Sequence, residues 1–212
     1  MPLRRKVQVV GALLSVVLLC GTIVVAEAGA PTEQMRQTVN DLVAIFENTA
    51  LSSPDRAPER RAKIQQVLSQ RFAYEAMAQQ SLGRHWNDLT PAQRQAFIPL
   101  FSSLLAQVHT KRIEKYGGKQ KSVVFKDESL HADGTASVRV VIVDPSDPTI
   151  NEEIEYLLQK HNDTWLVYDI LMDGNSIITH FRTQFDQIIR QESYADLVRR
   201  LEQSPTSMDK AN

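Results

Sequence analysis

The chain has 212 residues, 24 Lys and Arg against 25 Asp and Glu, and is 42% hydrophobic and 23% charged. These values fit one globular domain, or two small ones, and exclude a disordered, collagen-like or multi-span membrane chain. A net charge of −1 sets up no global field for nucleic acid, and a single cysteine makes neither an internal disulfide nor a multi-cysteine metal site.

The N-terminus reads as an address. Arg4, Arg5 and Lys6 form a basic start, Val7–Ala26 carries no charge, and Ala26-Glu27-Ala28 places small residues around a cleavage point. That layout is a secretory signal peptide, cut after Ala28. The alternative keeps the apolar stretch, which is long enough to span a bilayer, as an uncleaved inner-membrane anchor. Either way the body is exported. A lipoprotein reading on Cys20 fails, because Leu19 stands where a small residue is needed. Cleavage removes Arg4, Arg5, Lys6, Glu27 and Cys20, leaving 184 residues, 21 basic against 24 acidic, and no thiol.

Beyond the leader, residues 33–50 carry Met35, Val39, Leu42, Val43, Phe46 and Ala50 at helical spacing, and Ser52-Ser53-Pro54 stops them. A second helix over 58–70 turns Ile64, Val67 and Leu68 inward. Phe72, Tyr74, Met77 and Ala78 mark a third, ending near Gly83. Thr90-Pro91-Ala92-Gln93 is a start signal: Thr90 caps, Pro91 suits the first turn and Gln93 closes a capping box. The stripe Phe97, Leu100, Phe101, Leu104, Leu105, Val108, Ile113 then runs to Gly117-Gly118.

The pattern now changes to strands: Ser122–Asp127, Thr135–Val143, Ile150–Lys160 and Trp165–Met172, separated by Asp133-Gly134, residues 144–148 and Asn162-Asp163. Ile150, Ile154, Tyr156 and Leu158 share a face opposite Glu153 and Glu155, so the sheet has one covered face and one wet face. Asp173-Gly174 ends the last strand, and Asn175 or Ser176 caps a helix with Ile177, Ile178, Phe181, Phe185, Ile188 and Ile189 on one side. Ser193-Tyr194-Ala195-Asp196 opens a final helix. The expected fold is α+β: N-terminal helices packed on a four-stranded antiparallel meander and closed by C-terminal helices. The expected organisation is signal peptide 1–28, one domain over 29–204 and a flexible tail over 205–212.

Motifs for catalysis or metal are wanting. His85, His109, His131, His161 and His180 show no metal-ligand spacing, and there is no GxSxG elbow or Gly-rich phosphate loop. Asp173 and His180, seven apart across a strand-to-helix junction, form the one acid/base pair worth weighing, against the plainer reading of a turn residue and a boundary histidine. Trp86 reads as a core plug rather than a binding platform. No catalytic residue, metal or cofactor is expected.

Three segments carry a resemblance. They are Phe72-Ala73-Tyr74-Glu75-Ala76-Met77-Ala78 with Leu82-Gly83-Arg84-His85-Trp86; Leu89-Thr90-Pro91-Ala92-Gln93-Arg94-Gln95-Ala96-Phe97; and Trp165-Leu166-Val167-Tyr168-Asp169-Ile170 with Asp173-Gly174, Ser176 and Phe181-Arg182-Thr183-Gln184-Phe185. In this order, over about 33–204, the chain resembles the MlaC / toluene-tolerance family of periplasmic phospholipid-transport proteins. The resemblance implies a non-enzymatic periplasmic carrier. It would hold a phospholipid by its acyl chains between helices and sheet. It would shuttle the lipid between an outer-membrane lipoprotein complex and an inner-membrane ABC transporter with a lipid-binding membrane subunit, keeping the outer membrane asymmetric. A hopanoid-associated branch implies a different lipid cargo. The sequence departs from the family pattern at Asn175, where an apolar residue is expected, and at His180, where Asn is common.

Acyl chains need apolar walls, since each buried CH₂ contributes about 0.8 kcal/mol. The candidate walls are Tyr74, Met77, Phe97, Phe101, Leu104 and Leu105 from the helices and Val140, Ile142, Ile154, Tyr156, Leu158 and Tyr168 from the sheet. The same residues also suit an ordinary packed core. Two rival functions remain open: an exported hydrolase or isomerase built on Asp173 and His180, and an adaptor that binds only proteins.

Overall fold

Apolar side chains at helical and then alternating spacing have to be buried, and the chain does this with six helices and one sheet among its described residues. The computed structural model describes residues 30–116, 122–144 and 147–203. The expected signal peptide over 1–28, Gly117-Gly118 and the expected tail over 205–212 lie outside them.

Helix α1 spans Ala30–Glu47, α2 Ala57–Ser69, α3 Tyr74–Leu82 and α4 Pro91–Tyr116. The inward line of α1 is Met35, Thr38, Leu42 and Ile45; Val43, a quarter-turn away, is 43% exposed. Ala50 falls beyond α1, in a short 3-10 turn over Thr49–Leu51. The α4 start is the expected capping box: the Gln93 amide donates to Thr90 Oγ1 at 3.3 Å and the Thr90 amide to Gln93 Oε1 at 2.9 Å. Between α3 and α4, Gly83–Asp88 is a 3-10 turn that buries Trp86.

The sheet has five strands, not four, in the order β1-β2-β3-β4-β5, and every neighbour is antiparallel. They are β1 Ser122–Leu130, β2 Thr135–Asp144, β3 Asp147–His161, β4 Thr164–Met172 and β5 Asn175–Ser176. The extra strand comes from the turn. Asp173 and Gly174 both have positive φ, 47° and 77°, the conformation that folds a tight hairpin. Asn175 therefore pairs back with Met172, and Ser176 with Leu171, before Ser176 caps the next helix.

Strand β3 also begins earlier than the sequence suggests, and Pro148 lies within it. β4 pairs with β3 only from Ile154 onward, so the first residues of β3 have one free edge, where proline is tolerated.

Helix α5 spans Ile177–Gln191 and α6 Tyr194–Gln203. Ser193 Oγ accepts from the Asp196 amide at 3.1 Å, completing the expected box at α6. α1 lies along β1 and β2, and α3 and α5 lie against β4. α2, α4 and α6 pack on other helices. Residues 71–73 seal the outer edge of β4: Val167 N donates to Arg71 O at 2.8 Å and Ala73 N to Val167 O at 2.9 Å.

Candidate functional site

Cross-strand pairing sorts the sheet's side chains into rows on each face. On the helix-facing side one row is Leu130, Ala136, Leu158 and Val167, the next Glu128, Val138, Tyr156 and Ile170, then Phe125, Val140, Ile154 and Met172, and last Val123, Ile142 and Glu152. Along β2 and β4 burial falls through this series, while Leu130, at the first row's β1 end, is 56% exposed. Ala136, Leu158 and Val167 have no exposure, Val140 and Ile154 have 2% and 7%, and Val123, Phe125, Ile142 and Met172 are only half-buried.

The first half of α1 closes the sealed end. Gln34 clamps β4 with both ends of its amide, Trp165 N to Oε1 at 2.9 Å and Nε2 to Trp165 O at 3.1 Å. The Thr32 amide donates to Glu128 on β1 at 2.8 Å. Arg36 then lies over the Phe125 ring, 4.4 Å from its centroid, at the edge of the open end. Across β2–β4 the sheet thus offers an apolar floor that is tightly covered at one end and half-covered at the other. Its opposite face is polar in the middle, where Arg139 pairs with Asp127 at 3.5 Å and Glu153 at 3.3 Å.

The wall residues expected from sequence fall into three places. Val140, Ile154, Ile142, Tyr156 and Leu158 lie together on the helix-facing side, from the open end to the sealed end. Met77, Phe97, Phe101, Leu104 and Leu105 have no exposure at all. Phe97 and Phe101 are locked in a four-ring cluster with α5. Phe101 meets Phe181 edge-on at 5.8 Å and Phe185 at 6.2 Å, and Phe97 meets Phe185 at 6.0 Å. Tyr74, half-buried at the start of α3, stacks on Phe72 at 5.8 Å, and burial pushes its hydroxyl pKa up to about 12.

Tyr168 is not brought to the others. A register shift pairs Leu157 with Asp169 and Leu158 with Val167, leaving Tyr168 as the extra residue of a bulge. It lies near Thr135, which stands in a row on the opposite face with Gln159 and Leu166. Strict alternation groups Tyr168 with Ile170; the bulge breaks that parity. Burial raises its pKa. Val123, Phe125 and Met172 belong to the open end and were missing from the expected walls. The i, i+2 spacing of Val123 and Phe125 is the signal that puts them there.

Asp169 is a buried carboxylate that ties α5 to the sheet. It accepts from Ser176 Oγ at 2.6 Å, Ile170 N at 2.7 Å and Ile178 N at 3.2 Å. This pins the start of α5 beside the Met172 end of β4. Asp173 stays in its exposed turn and makes no hydrogen bond to His180, whose Nε2 instead meets Gln184 Nε2 at 2.9 Å. Among the described residues no three His, Cys, Asp or Glu side chains cluster as metal ligands.

A separate groove of about 420 Å³ lies between the end of α3 and α5, lined by Leu82, Gly83, Arg84, Arg182, Thr183 and Asp186. Asp186 clasps the 3-10 turn here, accepting from His85 at 2.8 Å and Arg84 at 2.5 Å. These bonds, His85 first, hold its carboxyl below the usual range. Arg182 donates from Nε to Gln80 O at 2.7 Å.

A solved phospholipid-binding protein from Ralstonia solanacearum, in complex with a phospholipid, is similar to this chain with a TM-score of 0.67 and 23% identity, over 84% of this chain and 98% of that one. At that identity the likeness is one of fold. The model of the MlaC protein family matches residues 36–203, from within α1 to the end of α6. Over that span, which takes in every described strand, the chain belongs to the MlaC protein family.

Proposed function

We propose that this protein is a periplasmic lipid carrier that takes phospholipid acyl chains between its helices and the apolar side of its sheet. The graded burial of that side carries the reading. Val123, Phe125, Ile142 and Met172 leave apolar surface half-covered at one end of a floor whose other end is sealed on β2, β3 and β4. Half-covered apolar surface of this kind is what an acyl chain can complete. Ten methylenes buried there contribute about 8 kcal/mol, which before the costs of ordering matches micromolar binding for each chain.

Membership of the MlaC family and a relative of the same fold that holds a phospholipid support the same reading. In this reading the leader over 1–28 exports the chain and the domain acts without catalysis. It passes lipid between an outer-membrane lipoprotein complex and an inner-membrane ABC transporter with a lipid-binding subunit, and so maintains outer-membrane asymmetry. Lipid is released when a membrane partner widens the gap between helices and sheet.

The test is mass spectrometry of the protein purified from periplasm without detergent, followed by solvent extraction of whatever it holds. A stoichiometric phospholipid supports the reading. A hopanoid keeps the carrier and changes its cargo. A bare protein that also takes no lipid from vesicles makes it an adaptor.

A further inference from the structure

The first turns of α1 walk along β1. Thr32 donates through its amide to Glu128, and four residues on, where the helix has advanced about 6 Å, Arg36 reaches Phe125. Thr32 and Gln34 spend their hydrogen bonds on the sheet, but Arg36 meets it through a ring face. Its Cζ lies 4.4 Å from the Phe125 centroid, and 49% of its side chain is exposed. A cation over a ring is held through its charge, so its N–H groups stay available to an acceptor. Glu33 Oε2 stands 3.7 Å from Nε, beyond hydrogen-bond reach, and its side chain is itself 77% exposed.

The place matters as much as the chemistry. Phe125 belongs to the half-covered rows and lies on β1, the outermost strand of the sheet. Arg36 therefore sets accessible donors and a positive charge at the rim of the half-covered apolar surface. Glu152, in the last row, stands two strands away on β3 and carries the sign that repels a phosphate. The charges facing the half-covered end thus favour an anion on the β1 side.

Resting on the carrier reading above, we propose that Arg36 binds the phosphate of the lipid whose acyl chains cover Phe125, Val123 and Ile142. A phosphodiester is joined directly to the glycerol that carries the chains, so it comes to rest where apolar surface meets water. The guanidinium fork matches two oxygens of one phosphate. The cargo selected in this way is an anionic or zwitterionic phospholipid over an uncharged lipid with the same chains.

The experiment offers the protein vesicles of equal parts dioleoyl phosphatidylglycerol and digalactosyl dioleoylglycerol, an uncharged bilayer lipid with the same chains and no phosphate. The buffer is free of phosphate, and native mass spectrometry counts the two bound species. Arg36→Gln is expected to lower the ratio of phospholipid to glycolipid about three- to tenfold, the range of a part-exposed charged hydrogen bond. Its melting temperature should match wild type, since the side chain is half in water. Arg36→Met, which keeps an apolar stem over Phe125 and removes the charge, should lower the ratio equally. Folded variants that keep the wild-type ratio overturn this proposal and leave the carrier standing. Inorganic phosphate titrated alone by calorimetry separates the sources of the anion: binding that depends on Arg36, with the lipid ratio unmoved by the variants, marks a free-anion site and also overturns it. Wild type that loads neither lipid overturns the carrier reading and this proposal with it.

Discussion

Phe101→Ala separates a packed core from a cavity wall. The ring has no exposure and touches three others, at 6.1 Å from Phe97, 5.8 Å from Phe181 and 6.2 Å from Phe185. These neighbours sit on two helices, α4 and α5, that Asp169 and the Thr90 box hold in place at their starts. The hole left by the ring therefore closes little, and a loss of about 3–5 kcal/mol follows. For a domain of this size that lowers the melting temperature by roughly 6–20 °C. Urea denaturation gives the free energy, and lipid uptake from vesicles by the folded variant should stay near wild type. A loss under about 1 kcal/mol with uptake abolished would refute the reasoning, since the ring would then line space rather than fill it.

Further outcomes follow from the same geometry. Ile142→Asp, at the half-covered end of the sheet, should fold with a circular dichroism spectrum like wild type and fail to load lipid. Leu104→Asp puts an unpaired charge at a position with no exposure and should yield no soluble folded protein, as judged by expression and proteolysis. Asp169→Ala leaves Ser176 Oγ and two backbone amides without their acceptor and should cost about 3 kcal/mol in urea denaturation. The depressed pKa of Asp186 means its bonds to His85 and Arg84 stabilise the fold above the unfolded carboxylate pKa of about 3.9 and are lost as pH falls through the folded value. Asp186→Asn should accordingly flatten the acid limb of stability measured between about pH 5 and pH 2. Gly83→Ala should cost about 1–3 kcal/mol, because φ is +53° there and a Cβ would meet Arg182 Cδ at 3.3 Å.

Much of the fold is legible in the residues. Helical spacing locates Ile64 and Leu68, Phe97 and Phe101, and Phe181 and Phe185, all of which are buried. The boxes at Thr90 and Ser193 announce helix starts that the hydrogen bonds confirm. Val, Ile and Tyr between Gly, Asp and Asn turns mark the strands. Local signals suffice here because capping and burial periodicity act within one or two turns of chain.

The candidate site is less legible. Phe101 and Ile142 both read as apolar wall residues, yet one is sealed among four rings and the other sits at the open end of the sheet. Tyr168 reads as a wall residue with Tyr156 and Leu158 and ends up near Thr135 on the other face. A single bulge does this, and nothing in Leu157-Leu158 announces it. β5 exists only because Asp173 and Gly174 both take positive φ.

Local residue patterns already carry an α+β chain, most of its strands and helices in order, its capping chemistry and its kinship. Tertiary structure alone decided which apolar residues are core and which remain half-covered. It did so by clamping Gln34 of α1 onto Trp165 at one end of the sheet and leaving the row of Val123 and Ile142 half-covered at the other. The physical reason is range. Periodicity says which way a side chain points on its own element, but its exposure depends on what another element, often a hundred residues away, lays across it.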